Sequence, residues 1–318
     1  MDVALPPRGE RSRHDDRRDR QRDDVAVDVA LRLGTEIISA DSMAVYRRME
    51  VATAKPSAEQ RARVPHHLID VADPTENVTA GAWARMAAAT IREIESRGRT
   101  AILVGGTGFY LRALVEGLFD APDVDPRIRR RLGERLERRG AERLHRLLGR
   151  LDPEAAERVA PRDWSRVVRA LELRLTTGRT ASALLRESPP RPPDPDIAAR
   201  VRILALAPPR DALYERIDRR TVAMFEAGLV DEVRALLDAG LPPNAKALGA
   251  HGYRRVVEHL RGKRSLESAV EQTRLDTRHY AKRQWTWWRA TPGVHWIEAF
   301  GVSDRARDEA LLYLENRF

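Results

Sequence analysis

The stretch ISADSMAVY places a carboxylate and a hydroxyl, Asp41 and Ser42, directly after an apolar run. In a buried parallel strand, that position is the carboxyl edge of the sheet, where such folds hold ligands, and Asp41 is placed to act as a base or a metal ligand. The same two residue types also cap helices, so the pair alone leaves both readings open. LVGGTGFY has a related layout. Gly105 and Gly106 let backbone N–H groups approach a ligand, Thr107 adds a hydroxyl, and the helix that begins there favours anions at its N-terminus. A phosphate site is one reading of it, and a turn that needs glycine for its backbone is the other.

Two basic clusters add to these turns. In YERIDRRTVAMFEAG, Arg216 and Arg220 share one helix face and suit a diphosphate, since guanidinium groups grip phosphate oxygens in pairs; pairing with Glu215 or Asp218 on a solvated face is the alternative. Around TRHYAKRQWTWWR, Arg274, Arg278, Lys282, Arg283 and Arg289 are interleaved with Tyr280, Trp285, Trp287 and Trp288. Rings that stack on bases beside cations that meet phosphates suit RNA, although some of these tryptophans are expected to serve helix packing.

The elements that must position these groups follow from apolar periodicity. VAVDVALRL reads as a helix, TEIISAD as a strand ending in a polar turn, GAWARMAAATIREIESRG as a long amphipathic helix, AILV as a buried strand and FYLRALVEG as the next helix. Strands buried on both faces with helices between them predict a parallel α/β sheet. From Arg127 to Arg186 only helical runs occur, closed by the proline tract SPPRPPDPD. RVRILALAP resumes the strand pattern, long helices run to Ala290, GVHWIEAF is a last strand and ARDEALLYLENRF a closing helix. The expected organisation is an arm over 1–24, an α/β core over 25–122, a helical insertion over 123–195, and the rest of the core with basic C-terminal helices over 196–318.

Composition narrows the class. A chain of 318 residues that is 42% hydrophobic can bury a sizeable core. It has no Cys, so disulfides, zinc-thiolate sites and a thiol nucleophile are excluded. No run of about 18 apolar residues and no signal-peptide pattern occurs, which predicts no membrane span and a cytoplasmic address. The net charge of +9 suggests a polyanionic partner, yet Lys55, Lys246, Lys263 and Lys282 are the only lysines. So arginine-rich a balance also follows from GC-rich coding, and charge alone leaves the partner open.

Taken in order, ADSMAVYRRMEVATAKPS, VPHHLIDVADP, ILVGGTGFYLRALVEG, DVDPRIR, SRVVRALEL, the Arg216 helix, HGYRRV and TRHYAKRQWTWWR resemble the tRNA dimethylallyltransferase (isopentenyltransferase) family from about Asp24 to about Ile297. The resemblance implies a P-loop NTPase-like parallel sheet with an all-helical insertion that binds tRNA. It also implies transfer of a dimethylallyl group from dimethylallyl diphosphate to N6 of the adenosine just 3′ of the anticodon, with Mg2+ assisting, in a cytoplasmic monomer. Asp41 matches the base position. The matching tRNA contacts are Asp41, Ser42, Met43, Ala44, Thr107, Arg129, Ser165, Arg166, Val167, Val168, Arg169, Gly249, Ala250, His251, Gly252, Tyr253 and Arg254. Gly105, Gly106, Thr107, Arg216 and Arg220 are the candidates for the diphosphate, and no metal ligands are assigned. The chain departs from the pattern at Ala44, often Gln, and at Arg48 and Ala52, where Gly is common.

A larger departure precedes Val25. The resemblance places an apolar strand and a nucleotide-binding P-loop of the form GPTxxGKS or GKT there, the loop falling on Asp16–Asp23, which reads DRRDRQRD. That octet offers no glycine to cradle phosphate and no hydroxyl for Mg2+, and Arg22 stands in the lysine's place. Three accounts compete: a disturbed reading frame or start, a tRNA-binding homologue impaired in using the diphosphate, and an active enzyme with a divergent loop. In the first, Asp19-Arg20-Gln21 written GAC CGG CAA and read one base later, with A following, gives Thr-Gly-Lys. From other classes, a P-loop small-molecule kinase would show the intact motif, and a non-catalytic RNA-binding module would make Asp41 incidental.

Overall fold

The computed structural model describes residues 22–119, 122, 124–301 and 303–315. Two compact units are formed, one from the chain up to Val115 and from Asp196 onward, the other from Glu116–Pro195.

In the first unit, helix α1 (Arg22–Arg32) leads to strand β1 (Ile37–Ser39), and α2 (Ala58–Arg63), β2 (His66–His67), α3 (Ala80–Ser96), β3 (Ile102–Val104) and α4 (Gly108–Val115) follow. Strand β1 is central in a parallel sheet of order β2-β1-β3, with Ile37 facing His66 on one side and Ile102 on the other. Helix α3 starts where Thr79 accepts a hydrogen bond from the Ala82 N–H. Its apolar residues recur every three or four positions, so Trp83, Ala87, Ile91 and Ile94 form one buried face. Trp83 stacks on Tyr110 of α4 with centroids 4.7 Å apart, and its indole N–H donates to the Ser39 carbonyl at 3.0 Å. The turn that follows β1 is thereby anchored at the strand's last residue. At the other end of β1, buried Glu36 accepts from His67, Arg97 and Arg99.

The second half of this unit holds β4 (Ile203–Leu206), α11 (Arg210–Glu226), α12 (Leu229–Asp238), α13 (His251–Leu260), α14 (Leu266–Arg289), β5 (Val294–Ile297) and α15 (Asp304–Glu315). Strands β4 and β5 pair in parallel as a separate two-stranded sheet, Ile203 facing Val294 and Leu206 facing Ile297.

One continuous sheet buried on both faces is the expectation, and the described residues depart from it. β1 is buried throughout, whereas every residue of β3 and β4 is only half-buried despite the sequences ILV and ILAL. Helix α1 lies against both sheets: Val25 and Val29 join Ile297, Ala306 and Ala310 in one apolar cluster, on which Ile102 of β3 and Leu204 and Leu206 of β4 pack. Among the described residues no strand pairs with β3 on the side away from β1. The text before Val25, which includes DRRDRQRD, contains no apolar run of the kind that a strand buried on both faces requires. Residues 1–21, which carry the arm and most of the P-loop position, lie outside the described residues, while Arg22 and Asp23 open α1.

The second unit is all helical, as the run from Arg127 to Arg186 predicts: α5 (Pro126–Arg139), α6 (Ala141–Leu151), α7 (Pro153–Arg158), α8 (Trp164–Thr177) and α9 (Ala181–Glu187). A short helix, α10 (Pro195–Arg200), returns the chain to β4. Asp125, Asp152 and Asp163 cap three of these helices, two of which open on proline, the residue whose fixed φ suits the first turn. The core of this unit is Leu132, Leu144, Leu148, Val167 and Leu171. Within it, buried Asp152 ties two elements together, accepting from the Ala155 and Ser182 N–H groups.

Candidate active site

Two turns meet at the carboxyl edge of β1 and β3. Asp41 follows β1, and its Oδ1 accepts hydrogen bonds from the N–H groups of Met43 at 2.7 Å and Ala44 at 3.2 Å. That turn fixes one carboxylate oxygen through two backbone N–H groups. Thr107 follows β3. Its Oγ1 accepts from the Ser42 N–H at 3.1 Å and lies 3.4 Å from Ser42 Oγ, while its own N–H donates to the Ala40 carbonyl at 3.2 Å. Gly105 is needed here because a Cβ would drive into the Ala40 backbone. The sequence-predicted residues Asp41, Ser42, Gly105, Gly106 and Thr107 thus occupy one place.

Behind Asp41 the chain is braced by segments that sequence reasoning did not assign a role. The Asp70 N–H donates to the Ala44 carbonyl, the Ala72 N–H to Val45, and the Arg47 N–H back to Ala72. Asp70 itself receives Lys55 Nζ and Arg61, and the Lys55 side chain is almost fully withdrawn from solvent. Glu232 of α12 accepts from the Glu50 and Val51 N–H groups and from the Tyr253 hydroxyl, so α12 and α13 both bear on the same loop. All four non-glycine residues with positive φ among the described residues, Arg48, Ala54, Leu68 and Asp70, fall in these segments. Strain of this kind persists only where the surroundings over-determine the backbone. Arg48 stands where the resemblance expects Gly; its φ of 63° explains the glycine preference, and an ion pair to Asp73 at 2.7 Å holds the arginine there.

Burial pushes the Asp70 carboxyl up, but the hydrogen bonds and charges of Lys55 and Arg61 outweigh it and hold the group below the usual carboxylate range. A depressed folded-state value means that the ionised group stabilises the fold above the unfolded value of about pH 4 and loses that contribution as pH falls further. Asp70→Asn is therefore expected to lower Tm at pH 7 and to differ less from the parent near pH 3, as followed by thermal melts across that range. An equal loss at both pH values would remove the ion pairs from the explanation.

Other predicted residues take varied places. Ala44, Val167, Gly252 and Tyr253 are buried. Arg129 and Arg169 both reach Glu172, a buried carboxylate missed in the sequence, with Arg129 bonded to both of its oxygens. Ser165 and Arg166 are exposed on the first turn of α8, where Val168 is half-buried. Gly249, His251 and Arg254 line a shallow cleft with Arg255, Asp276, His279 and Arg283, in which Arg255 pairs with Asp276 at 2.7 Å; half-buried Ala250 precedes His251. Arg216 carries its guanidinium 5.5 Å from the Phe300 ring centroid, and Arg220 lies one turn further along α11. Asp218, the alternative partner weighed for these two, pairs with Arg278 of α14.

Among the described residues no group of three or more His, Cys, Asp or Glu side chains could hold a metal ion, and no helix is long and apolar enough to cross a membrane.

The comparisons with known proteins agree on one likeness. The family model described as IPP transferase matches residues 44–291. The tRNA dimethylallyltransferase of Geobacter metallireducens is 46% identical over 280 residues, covering 88% of this chain and 89% of that protein; that of Solibacter usitatus is 44% identical over 288 residues, covering 91% and 92%. Among solved structures, the tRNA isopentenylpyrophosphate transferase of Bacillus halodurans matches with a TM-score of 0.65 at 36% identity, covering 92% of this chain and 91% of that one. A eukaryotic dimethylallyltransferase acting on tRNA matches with a TM-score of 0.73 at 25% identity, covering 93% and 77%.

Proposed function

The chain belongs to the IPP transferase family, the tRNA dimethylallyltransferases, and we propose how its residues carry out that transfer. It is an α/β enzyme that prenylates tRNA. Its donor, in this reading, is dimethylallyl diphosphate, and its acceptor is N6 of the adenosine 3′-adjacent to the anticodon. The adenine amine attacks C1 of the allyl group, the C1–O bond breaks with its electron pair leaving on diphosphate, and the amine's proton passes to Asp41. An exocyclic amine is a weak nucleophile, so a fixed carboxylate that takes its proton is what the reaction requires. The observation that carries the reading is the Ser42 N–H to Thr107 Oγ1 hydrogen bond, which locks the Asp41 turn to the glycine turn.

Diphosphate would lie against the backbone of Gly105–Thr107, at the N-terminus of α4, with Arg216 and Arg220 as candidates to balance its charge. Mg2+ fits as a companion of the diphosphate, the hydroxyl oxygens of Ser42 and Thr107 supplying hard donors on the protein side; bound there it would neutralise leaving-group charge. On the RNA side, Arg254, His251 and Arg283 would meet the anticodon arm; in the helical unit, exposed Ser165 and Arg166 are candidate tRNA contacts. The enzyme is placed in the cytoplasm as a monomer in this proposal.

The test is prenyl transfer from labelled dimethylallyl diphosphate into two tRNA transcripts differing only at the nucleotide 3′ of the anticodon. Label is expected in the adenosine transcript and absent from the guanosine one. Label in both, or in neither while the tRNA still binds, would overturn the assignment of acceptor or of activity.

A further inference from the structure

Helix α14 carries two unlike faces at its C-terminal end. Lys282, Arg283, Thr286 and Arg289 are exposed, whereas Gln284 and Trp287, three residues apart and so on one side, are half-buried. Gln284 Nε2 donates to the Gly106 carbonyl at 2.7 Å. Trp287 fills the space beside Gly108 so closely that a Cβ there would lie 2.4 Å from the indole Nε1. The turn Gly105–Gly108 is therefore held by two elements: by Ala40 and Ser42, which follow β1, and by Gln284 and Trp287 of α14.

We propose that Gln284 and Trp287 are positioning residues that set the depth of the glycine turn, and so the place of Thr107 relative to Ser42 and Asp41. The inference rests on the functional reading given above. Glycine turns owe their usefulness to backbone freedom, and the same freedom lets them drift. A side-chain amide on one carbonyl and an indole against the next α-carbon but one remove that freedom from outside the turn. The exposed cations of the same helix are then available to RNA without taking part in this contact.

The test compares Gln284→Leu, Gln284→Glu and Trp287→Phe in the full chain, each first checked for an unchanged melting profile. Misplacing a reacting group by about 1 Å costs up to about 100-fold in rate, so Gln284→Leu is expected to lower kcat by about 10- to 100-fold with the Kd for tRNA within about twofold. Amide exchange at Gly106, Thr107 and Gly108 is expected to quicken. Gln284→Glu is expected to be poor at pH 8 and to recover relative to the parent as the pH falls and the protonated carboxyl donates again to Gly106. Trp287→Phe removes the part of the indole that lies against Gly108 and leaves the turn room to drift, so it is also expected to lower kcat with the Kd for tRNA within about twofold. An unchanged kcat, or a loss confined to tRNA Kd, would overturn the proposal and make Gln284 an RNA contact. The exchange measurement needs no substrate. If the parent transfers no prenyl group but Gln284→Leu still loosens the turn, the functional reading fails and the clamp stands; if the parent is active and the turn is unmoved, the clamp fails alone.

Discussion

Asp41→Asn lowers single-turnover prenyl transfer by about 100- to 10,000-fold, the range that a positioned general base contributes, and leaves tRNA affinity within a few fold. Asparagine is the informative substitution. Its side-chain oxygen still accepts from the Met43 and Ala44 N–H groups, so the turn after β1 and the Ser42 link to Thr107 survive while the proton acceptor is lost. Labelled donor and filter-bound tRNA measure the two quantities separately. A rate close to the parent's would assign the proton to another acceptor. A loss that appears equally in tRNA affinity would make Asp41 a binding group, the outcome expected of a module without catalysis.

The second large effect concerns the divided sheet. Supplying an apolar β-branched strand and GPTATGKS in place of the residues up to Asp23 is expected to raise Tm by about 5 to 15 °C and to lower KM for dimethylallyl diphosphate. Completing the burial of β3 and β4 is expected to recover about 3 kcal/mol after the new strand's ordering cost, and each kcal/mol shifts Tm by about 2–4 °C in a domain of this size. The edges to be paired are those of Ile102–Val104 and Ile203–Leu206, half-buried although their sequences are those of two-sided core strands. A control carrying the glycine-rich loop without the apolar strand separates sheet repair from phosphate binding. If Tm does not move, the two sheets are complete as they stand. If Tm rises and donor KM is unchanged, Gly105–Thr107 with Arg216 and Arg220 hold the diphosphate unaided.

Much of this was legible from local pattern. The strands ILV and ILAL, the amphipathic helix from Ala80 and the all-helical middle section each state their type through apolar spacing. Asp41 and Thr107 could be picked out because each ends a strand, and their meeting follows from the pairing of β1 with β3. The bracing residues were not legible. Lys55, Asp70, Glu232 and Gln284 act across 15 to 182 residues of chain on backbone atoms or single carboxylates, and no periodicity marks such contacts. Strand β2 escaped notice for another reason, since His66 and His67 carry no apolar run and pair only because β1 offers an edge. Burial within the matched stretches was not legible either: Val167 and Tyr253 stand at positions that the resemblance matches to tRNA contacts, and their side chains are buried.

Arg48 has a consequence for how reaction rates respond to ionic strength. Its left-handed backbone is retained without glycine because a half-exposed guanidinium pairs with Asp73, and exposed ion pairs weaken as salt rises. The loop it anchors leads back through Arg47 and Ala72 to the segment beside Asp41. Added salt is thus expected to act twice on this enzyme: once by competing for the phosphates of the RNA, and once by loosening the turn that holds Asp41 in the RNA's absence. A salt slope of kcat/KM read only as a count of phosphate contacts would be too steep by the second contribution.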